Sequence, residues 1–319
     1  MEWRCALQEV NPVSKTTISI ITPSLNRAGL LVNAIESVLA QDLPAFEHII
    51  VDAGSTDDTP RILRQYPHLK VICEADRGMY DALNKGLTLA TGEIIGFLNT
   101  DDLYAENIFS AVAENFEDPT VMGVTGRAIV FSDLDNGEVT IVNRYDPNEK
   151  SLIENLTGAG AFFNAWFYRR STFNEIGKFN PGYRIAGDRD FMLRFALNNL
   201  KYVAINDLVY KYRMHPQSLT FARNSDQRAR SADEHLAMIR LYSNNSSISP
   251  AIRKLLIQMQ TSETVDMAAR SIWSGSYKRF MHYSLIGIRH NPFWLLRLLG
   301  YVLGRGIAVL TSREANSHS

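Results

Sequence analysis

The chain has 319 residues, 45% of them hydrophobic and 10% aromatic, with 33 Lys and Arg against 34 Asp and Glu. That hydrophobic content supports a sizeable core and excludes wholesale disorder, and a net charge of −1 supplies no global basic field for nucleic acid. The two cysteines, Cys5 and Cys73, show neither disulfide-framework nor zinc spacing, and the N-terminal MEWRCALQEV lacks the basic-then-apolar pattern of a secretory signal. Free thiols and a domain facing the cytoplasm are the expectation.

The first third alternates strand-like and helix-like segments. TISIIT (17–22) is an apolar, β-branched run that stops at Pro23, Ser24 and Asn26, all turn formers. Ala28 to Gln41 then carries Leu31, Ala34, Ile35, Val38 and Leu39 at helical spacing. FEHIIVDAG (46–54) predicts a second strand ending at Asp52, and Ser55-Thr56-Asp57-Asp58 predicts a helix start, with a hydroxyl cap and acids in the first turn. LKVIC (69–73) is a third strand, Met79 to Thr91 a helix stopped by Gly92, and EIIGFL (93–98) a fourth strand that runs into Asn99-Thr100-Asp101-Asp102. Strands alternating with helices predict an α/β fold, a doubly wound and mostly parallel sheet whose ligands bind outside the carboxyl ends of the strands. Those ends carry Asn26, Asp52, Asp76 and the Asp101-Asp102 pair.

The middle is less regular. VMGVTGRAIVF and GEVTIVNRY are strand candidates, a helix is expected from about Asp188 to Asn198, and strands around 201–212. Gly158-Ala159-Gly160-Ala161 lacks the Lys and the helix start of a phosphate loop and reads as a place of close backbone approach. From Asp226 onward the pattern is helical, with amphipathic stretches at Arg253–Gln260 and Ser271–Ile288.

The sharpest chemical signal is Asp101-Asp102. An almost wholly apolar strand delivers two adjacent carboxylates at its exit, and two crowded like charges are costly without a compensating cation. Mg2+ and Mn2+ prefer oxygen ligands and bind through one or two carboxylates plus substrate phosphates. A solvated, helix-capping loop is the bland alternative.

Context decides between the two. ISIITPSLNR (18–27), HIIVDAGSTDDT (48–59) and DRGMYDALNKGLTLATGEIIGFLNTDD (76–102) closely resemble glycosyltransferase family 2, whose members are inverting enzymes of the GT-A fold. Asp188-Arg189-Asp190-Phe191, followed by YKYRMHPQSLT (210–220), resembles the acceptor-side half of the same family, so the resemblance spans residues 17–220. It implies a nucleotide-sugar donor, a divalent metal (Mn2+ or Mg2+) and a glycan or lipid-linked glycan acceptor of bacterial polysaccharide assembly. Pro23, Ser24 and Asn26 lie where the family cradles the nucleotide, Asp52 where an acid meets the base, and Asp76 and Arg77 where the nucleotide or its diphosphate is contacted. Asn99-Thr100-Asp101-Asp102 matches the acidic metal motif with Asn99 where the first Asp often stands. One of Asp101 and Asp102 then holds the metal and the other the ribose or a metal-bound water. Asp188 is the implied base for the acceptor hydroxyl, with Asp190 as runner-up; from local sequence alone Asp188 reads as a helix N-cap. His215 is either a metal or diphosphate contact or a structural histidine before Pro216. Arg213 reads as a diphosphate partner or a strand-edge charge, and Trp166 as a core residue rather than a sugar platform.

The expected division is a GT-A catalytic domain over 1–225, with a nucleotide-sugar half (about 17–102) and an acceptor half (about 103–225), and a helical region over 226–319 that the resemblance leaves out. A nucleotidyltransferase is the competing enzyme class, but no Gly-rich, Lys- or Arg-bearing loop follows the first strand; a non-catalytic sugar-nucleotide scaffold is the other alternative. The tail PFWLLRLLGYVLGRGIAVLT (292–311) has near-spanning length yet carries Arg297 and Arg305. It predicts a helix lying in a membrane interface, at the inner face of the cell membrane, or else one packed on protein or on a second subunit of a homo-oligomer.

Overall fold

In the computed structural model the described residues are 16–134, 138–157, 162–215, 225–244 and 248–304. Cys5, Gly158 to Ala161, Pro216 to Thr220 and the tail beyond 304 fall outside them. The apolar runs become β1 (Ile18–Ser24), β2 (Glu47–Asp52) and β4 (Ile94–Phe97), buried along nearly their whole lengths, as strands covered on both faces must be. β3 (Leu69–Cys73) is the more exposed edge. β1 pairs with β2 and β4, and β2 with β3, all parallel, with Ser24 directly opposite Asp52. The connecting helices are α1 (Ala28–Leu39), α2 (Thr59–Leu63) and α3 (Met79–Leu89). α1 turns Leu31, Ala34, Ile35 and Val38 inward, where Leu31 and Ile35 meet Ile50, Ile62 and Leu63. Each such aliphatic side chain contributes roughly 1.5–3 kcal/mol by leaving water.

The expected helix start at Ser55 is corrected: α2 begins at Thr59, and Asp58 at its N-cap makes no side-chain cap bond. The polar groups of 55–57 are shared with the neighbouring loop, although Asp57 Oδ1 also accepts from the Thr59 amide at the helix start (3.0 Å). Ser55 Oγ accepts from the Asn26 amide (2.7 Å) and Asp57 from the Ala28 amide (3.1 Å).

β5 (Leu103–Tyr104), β6 (Gly123–Asp133), β7 (Val139–Tyr145), β8 (Trp166–Arg169) and β9 (Tyr202–Arg213) extend the sheet, in the order β3-β2-β1-β4-β8-β6-β9-β5 with β7 beside β6. This half is mixed: β8 runs antiparallel to β4 and β6, β5 to β9 and β7 to β6, while β6 and β9 are parallel. At Gly96 a Cβ would meet the Tyr104 hydroxyl at 2.6 Å, so only glycine lets that hydroxyl reach the Phe97 carbonyl (3.1 Å). Trp166 is buried, stacks on Tyr168 and packs at a tilt against Tyr202, the core role expected of it.

Short helices α4 (Phe109–Asn115), α5 (Leu152–Thr157) and α6 (Thr172–Glu175) precede the longer α7 (Gly187–Leu197), α8 (Ser225–Ser243), α9 (Pro250–Trp273) and α10 (Tyr277–His290). By its contacts the chain divides into two compact units: residues 1–146, 164–178 and 200–213, which hold the sheet, and residues 147–163, 179–199 and 214–319. In the second unit Leu193 of α7 packs with Met238 and Ile239 of α8 and with Leu256 and Met259 of α9. α7 therefore shares a core with the C-terminal helices. The single amphipathic helix expected over Ser271–Ile288 is corrected to two, because Gly275 at φ +68° turns the chain between α9 and α10. Residues 294–304 are helical, and among the described residues no helix is long and apolar enough to cross a membrane.

Candidate active site

Four parallel strands put the loops after Ser24, Asp52, Cys73 and Phe97 at one edge of the sheet, the place where such sheets bind ligands. Two of these loops are stitched together. Asn26 adopts φ +53°, and its Oδ1 accepts from the Thr56 amide (2.8 Å). Asp52 is buried and turns onto its own loop, accepting from the Ser55 amide (2.8 Å), the Gly54 amide (3.2 Å) and the Ser55 hydroxyl (2.5 Å). Beside it Ser24 is 4% exposed, and its hydroxyl has no hydrogen-bond partner among the described residues. An orphaned buried hydroxyl costs about 1–3 kcal/mol, and this one lies at the strand end where a nucleotide was expected. Pro23 precedes it in β1. Asp76 accepts from the Gly78 amide (2.8 Å), and Arg77, largely exposed, pairs with Asp81 (2.7 Å).

The acidic pair splits into two environments. Asp102 is 1% exposed and fully engaged: Tyr210 Oη donates to it at 2.7 Å, the Arg213 amide at 2.8 Å and Asn99 Nδ2 at 3.0 Å. Burial, and then the charge of Asp101, push its carboxyl up to about 8, against the opposing pull of those three donors. Asp101 is half-buried. Asp101 and Asp102 supply adjacent carboxylate oxygens, and a hard divalent cation fits that chemistry. Among the described residues no three His, Cys, Asp or Glu side chains form a ready-made metal cage; a cation here would draw its remaining ligands from substrate phosphate and water.

Arg213 ends β9 and turns toward the acidic motif. It is buried, spans Phe131 at 4.9 Å from the ring centroid, ion-pairs with Asp133, and donates from Nε to the Asp101 carbonyl (3.2 Å). It thus clamps the turn that carries the acids. Tyr210 and Asp133 were not singled out from the sequence, and Asn99 was named only as the departure from the motif's commonest form, not as a donor to Asp102.

The glycosyl transferase family 2 profile matches residues 19–177. A PGL/p-HBAD biosynthesis glycosyltransferase of Mycobacterium bovis is 34% identical over 184 residues, covering 55% of this chain and 68% of the relative. The chain belongs to glycosyltransferase family 2. Glycosyltransferase GlyG of Streptococcus pneumoniae is 29% identical over 218 residues, covering 63% of this chain and 72% of the relative. Among solved structures, the mannosyltransferase PcManGT from Pyrobaculum calidifontis, in complex with GDP-Man and Mn2+, matches with a TM-score of 0.56 at 19% identity over 92% of this chain and 90% of that one. S. aureus TarS 1-349 in complex with UDP-GlcNAc matches with a TM-score of 0.54 at 15% identity over 85% and 90%. At those identities the structures show the GT-A-type fold that the sequence implied.

In the second unit of this family 2 transferase, the two candidate acids of α7 are also unlike. Asp190 is buried and committed: it pairs with Arg194 (2.9 Å) and accepts from Tyr242 Oη (2.8 Å). Asp188 is half-buried in the first helical turn, where its carboxylate accepts from the Arg189 amide (2.6 Å). The N-cap itself is Ala186, so Asp188 is not the capping residue. The cap is supplied from α8, where Glu234 Oε2 accepts from the amides of Arg184 (3.1 Å), Ile185 (2.8 Å) and Ala186 (3.1 Å). A carboxylate at a helix N-terminus also suits the dipole. Nothing in the sequence marked Glu234, because its partners are backbone amides about fifty residues away. His215 follows β9 and is half-exposed.

Proposed function

We propose that this glycosyltransferase moves a sugar from a nucleoside-diphosphate sugar to a hydroxyl of a glycan or lipid-linked glycan, in a single displacement that inverts the anomeric centre and depends on Mn2+ or Mg2+. The observation that carries the reading is the strand-end edge of the parallel half, where an orphaned buried hydroxyl, Ser24, ends β1 and the adjacent carboxylates Asp101-Asp102 follow its parallel neighbour β4. In this reading Pro23, Ser24 and Asn26 line the nucleotide, with Asp52, Asp76 and Arg77 at the base and diphosphate. Asp101 is the acid that meets the metal, because both oxygens of Asp102 are already taken by Tyr210, Asn99 and Arg213. Asp102 then acts from behind, holding the turn. His215 remains a candidate for a metal or diphosphate contact. The metal, when bound, stabilises the negative charge that grows on the departing diphosphate.

Asp188 is the proposed base. Proton removal from the acceptor needs a partly desolvated carboxylate; Asp188 is half-buried in the first turn of α7, whereas Asp190 is buried in its pairing with Arg194 and Tyr242. The proposed setting is the cytoplasm, at the inner face of the cell membrane. Neighbours of the same fold carry UDP-GlcNAc and GDP-Man with Mn2+ in their complexes, which supports the donor class without choosing the base or sugar.

The test is turnover with a panel of nucleotide sugars. Asp188→Asn is expected to lower kcat about 100-fold or more with donor affinity nearly unchanged, the usual worth of a general base. NMR of the new linkage is expected to show inversion; a retained configuration overturns the mechanism. Absence of any metal-dependent donor hydrolysis would favour a non-catalytic scaffold instead.

A further inference from the structure

The C-terminal unit carries a surface that the transfer chemistry does not use. From Met267 to Arg313 the chain has seven Lys and Arg and no Asp or Glu, although the whole protein has a net charge of −1. Within this stretch the 294–304 helix is anchored on one face only. Trp294 is fully buried, its Nε1 donates to Thr264 Oγ1 at 2.8 Å, and it packs where Gly287 of α10 leaves room, since a Cβ there would meet the indole at 2.0 Å. Leu298 joins the same cluster, and the Tyr301 hydroxyl bonds to Asp266 of α9.

That anchoring leaves the opposite face bare. Leu295, Leu296, Leu299 and Leu303 are each more than half exposed, and at 100° per residue they fall within about 100° of one another around the helix. α10 repeats the pattern: Tyr277, Met281, Leu285 and Ile288 are exposed at helical spacing, within about 80°, flanked by the exposed Lys278 and Arg289. Among the described residues Lys278, Arg289 and Arg297 make no ion pair. A groove of about 600 Å³ opens between α9 and the 294–304 helix, walled by Ile257, Val265 and Leu296, with Arg297 on its lining.

We infer that α10 and the 294–304 helix together form a docking face for an anionic lipid bilayer, with the leucines entering the acyl boundary and Lys278, Arg289 and Arg297 meeting the headgroups. Two features select this occupant. Exposed aliphatic side chains beside unpaired cations, with no acid between them in sequence, match the apolar-below, anionic-above profile of a lipid surface. A second copy meeting this face about a two-fold axis would instead bring like charges together, which disfavours association. A spanning helix is not required, since a rigidly anchored interfacial face suffices. The inference goes beyond the proposed membrane setting by naming the face and the lipid chemistry, and it is read without turnover, so it stands or falls apart from the assigned base and metal.

The experiment is flotation of the full chain with vesicles of phosphatidylcholine alone and with phosphatidylglycerol added, at low and high salt. The wild type is expected to float with the anionic vesicles and to release as salt rises. Leu299→Glu with Leu303→Glu is expected to abolish flotation. Lys278→Gln with Arg289→Gln is expected to weaken partitioning roughly 25-fold, about fivefold per charge. Each variant's thermal midpoint is measured beside it, and exposed positions are expected to leave that midpoint unchanged. Failure of the wild type to float at low salt overturns the inference, as does equal flotation on neutral vesicles. Sedimentation supplies the remaining alternative: if the leucine variant converts a dimer to a monomer and leaves vesicle binding unaltered, the face belongs to a second copy and the lipid assignment is wrong.

Discussion

Acid should remove the stability contributed by one side chain of the nucleotide half, His48. Asp102, whose carboxyl is held up at about 8, works in the opposite direction and cancels from the comparison of wild type with a His48 variant. His48 lies in β2, four residues before Asp52, and is 2% exposed. Its Nε2 is 2.9 Å from Thr22 Oγ1 on β1, while Nδ1 is buried with no partner among the described residues. Protonation would put a second N–H and a full charge into that position, so burial, aided by the neighbouring charge of His68, holds the imidazole down at about 3. The unfolded chain takes up this proton near pH 6.5 and the folded chain does not, so stability is complete above 6.5 and is lost as pH falls toward 3. One proton corresponds to about 1.4 kcal/mol per pH unit, which makes roughly 2.5 kcal/mol between pH 7 and pH 4.5. That window excludes Glu47, which Lys70, Ser19 and the Thr91 and Gly92 amides together hold down at about 2 despite its burial, so that its contribution is lost only below about 4.5. Urea unfolding of wild type and His48→Leu at pH 7, 5.5 and 4.5 reads the difference. Losing the Thr22 contact shifts the variant by a constant, whereas the slope belongs to the proton. The variant is expected to be flatter by the stated amount. Parallel curves, or an imidazole resonance titrating near 6.5 in the folded protein, would refute the argument.

Three further outcomes test the site. Ser24→Ala removes an orphaned buried oxygen, so it is expected to leave stability unchanged or higher by up to about 1 kcal/mol while weakening nucleotide affinity several-fold by calorimetry. Asp101→Asn is expected to keep the fold and lose metal-dependent nucleotide binding by about 100-fold or more, whereas Asp102→Ala, which strands the Tyr210 hydroxyl and the Arg213 amide, is expected to lower the unfolding midpoint as well; equal loss of metal response without any loss of stability in Asp102→Ala would reverse the two roles. Glu234→Gln halves the acceptors facing three amides at the start of α7 and is expected to lower kcat with donor KM unchanged, the signature of a misplaced Asp188; an unaltered kcat removes Glu234 from the mechanism.

The parallel half was legible because its physics is local. β1, β2 and β4 are continuous apolar runs closed by turn formers, and α1 shows its buried stripe at helical spacing. Asp52 was read the same way, as an acid closing an apolar strand, and Ser24 as a turn former where β1 ends. What escaped depends on distant partners. β8 is four residues whose strand character comes from pairing with β4 more than sixty positions earlier, and β5 is two residues held by β9. The start of α2 was misplaced because Ser55 serves a loop 29 residues away and Asp57 divides its two oxygens between that loop and the Thr59 amide. The inequality of Asp101 and Asp102 was invisible because the donors that bury Asp102 stand 108 and 111 residues further on.

The same separation of roles recurs at the second acid pair, and it yields a prediction that the family resemblance alone does not. In Asp101-Asp102 and in Asp188-Asp190 the later acid is buried and bonded while the earlier one is half-buried. Asp190 faces Arg194 at 2.9 Å and Tyr242 Oη at 2.8 Å, tying α7 to α8 beside the Leu193, Met238 and Ile239 core. Removing one partner of a buried pair costs about 3–5 kcal/mol, and the Arg194 side chain retains 19% exposure, which lowers the figure to roughly 2–3 kcal/mol for Asp190→Ala. Asp188→Asn keeps the side chain's size and an oxygen that can accept from the Arg189 amide, so its midpoint should stay within about 0.5 kcal/mol of wild type while turnover collapses. Urea unfolding and kcat measured on the same preparations therefore separate the two acids on orthogonal axes. An Asp190→Ala protein that is as stable as wild type yet inactive would move the proposed base from Asp188 to Asp190, because the loss of activity could then no longer be ascribed to a loosened α7.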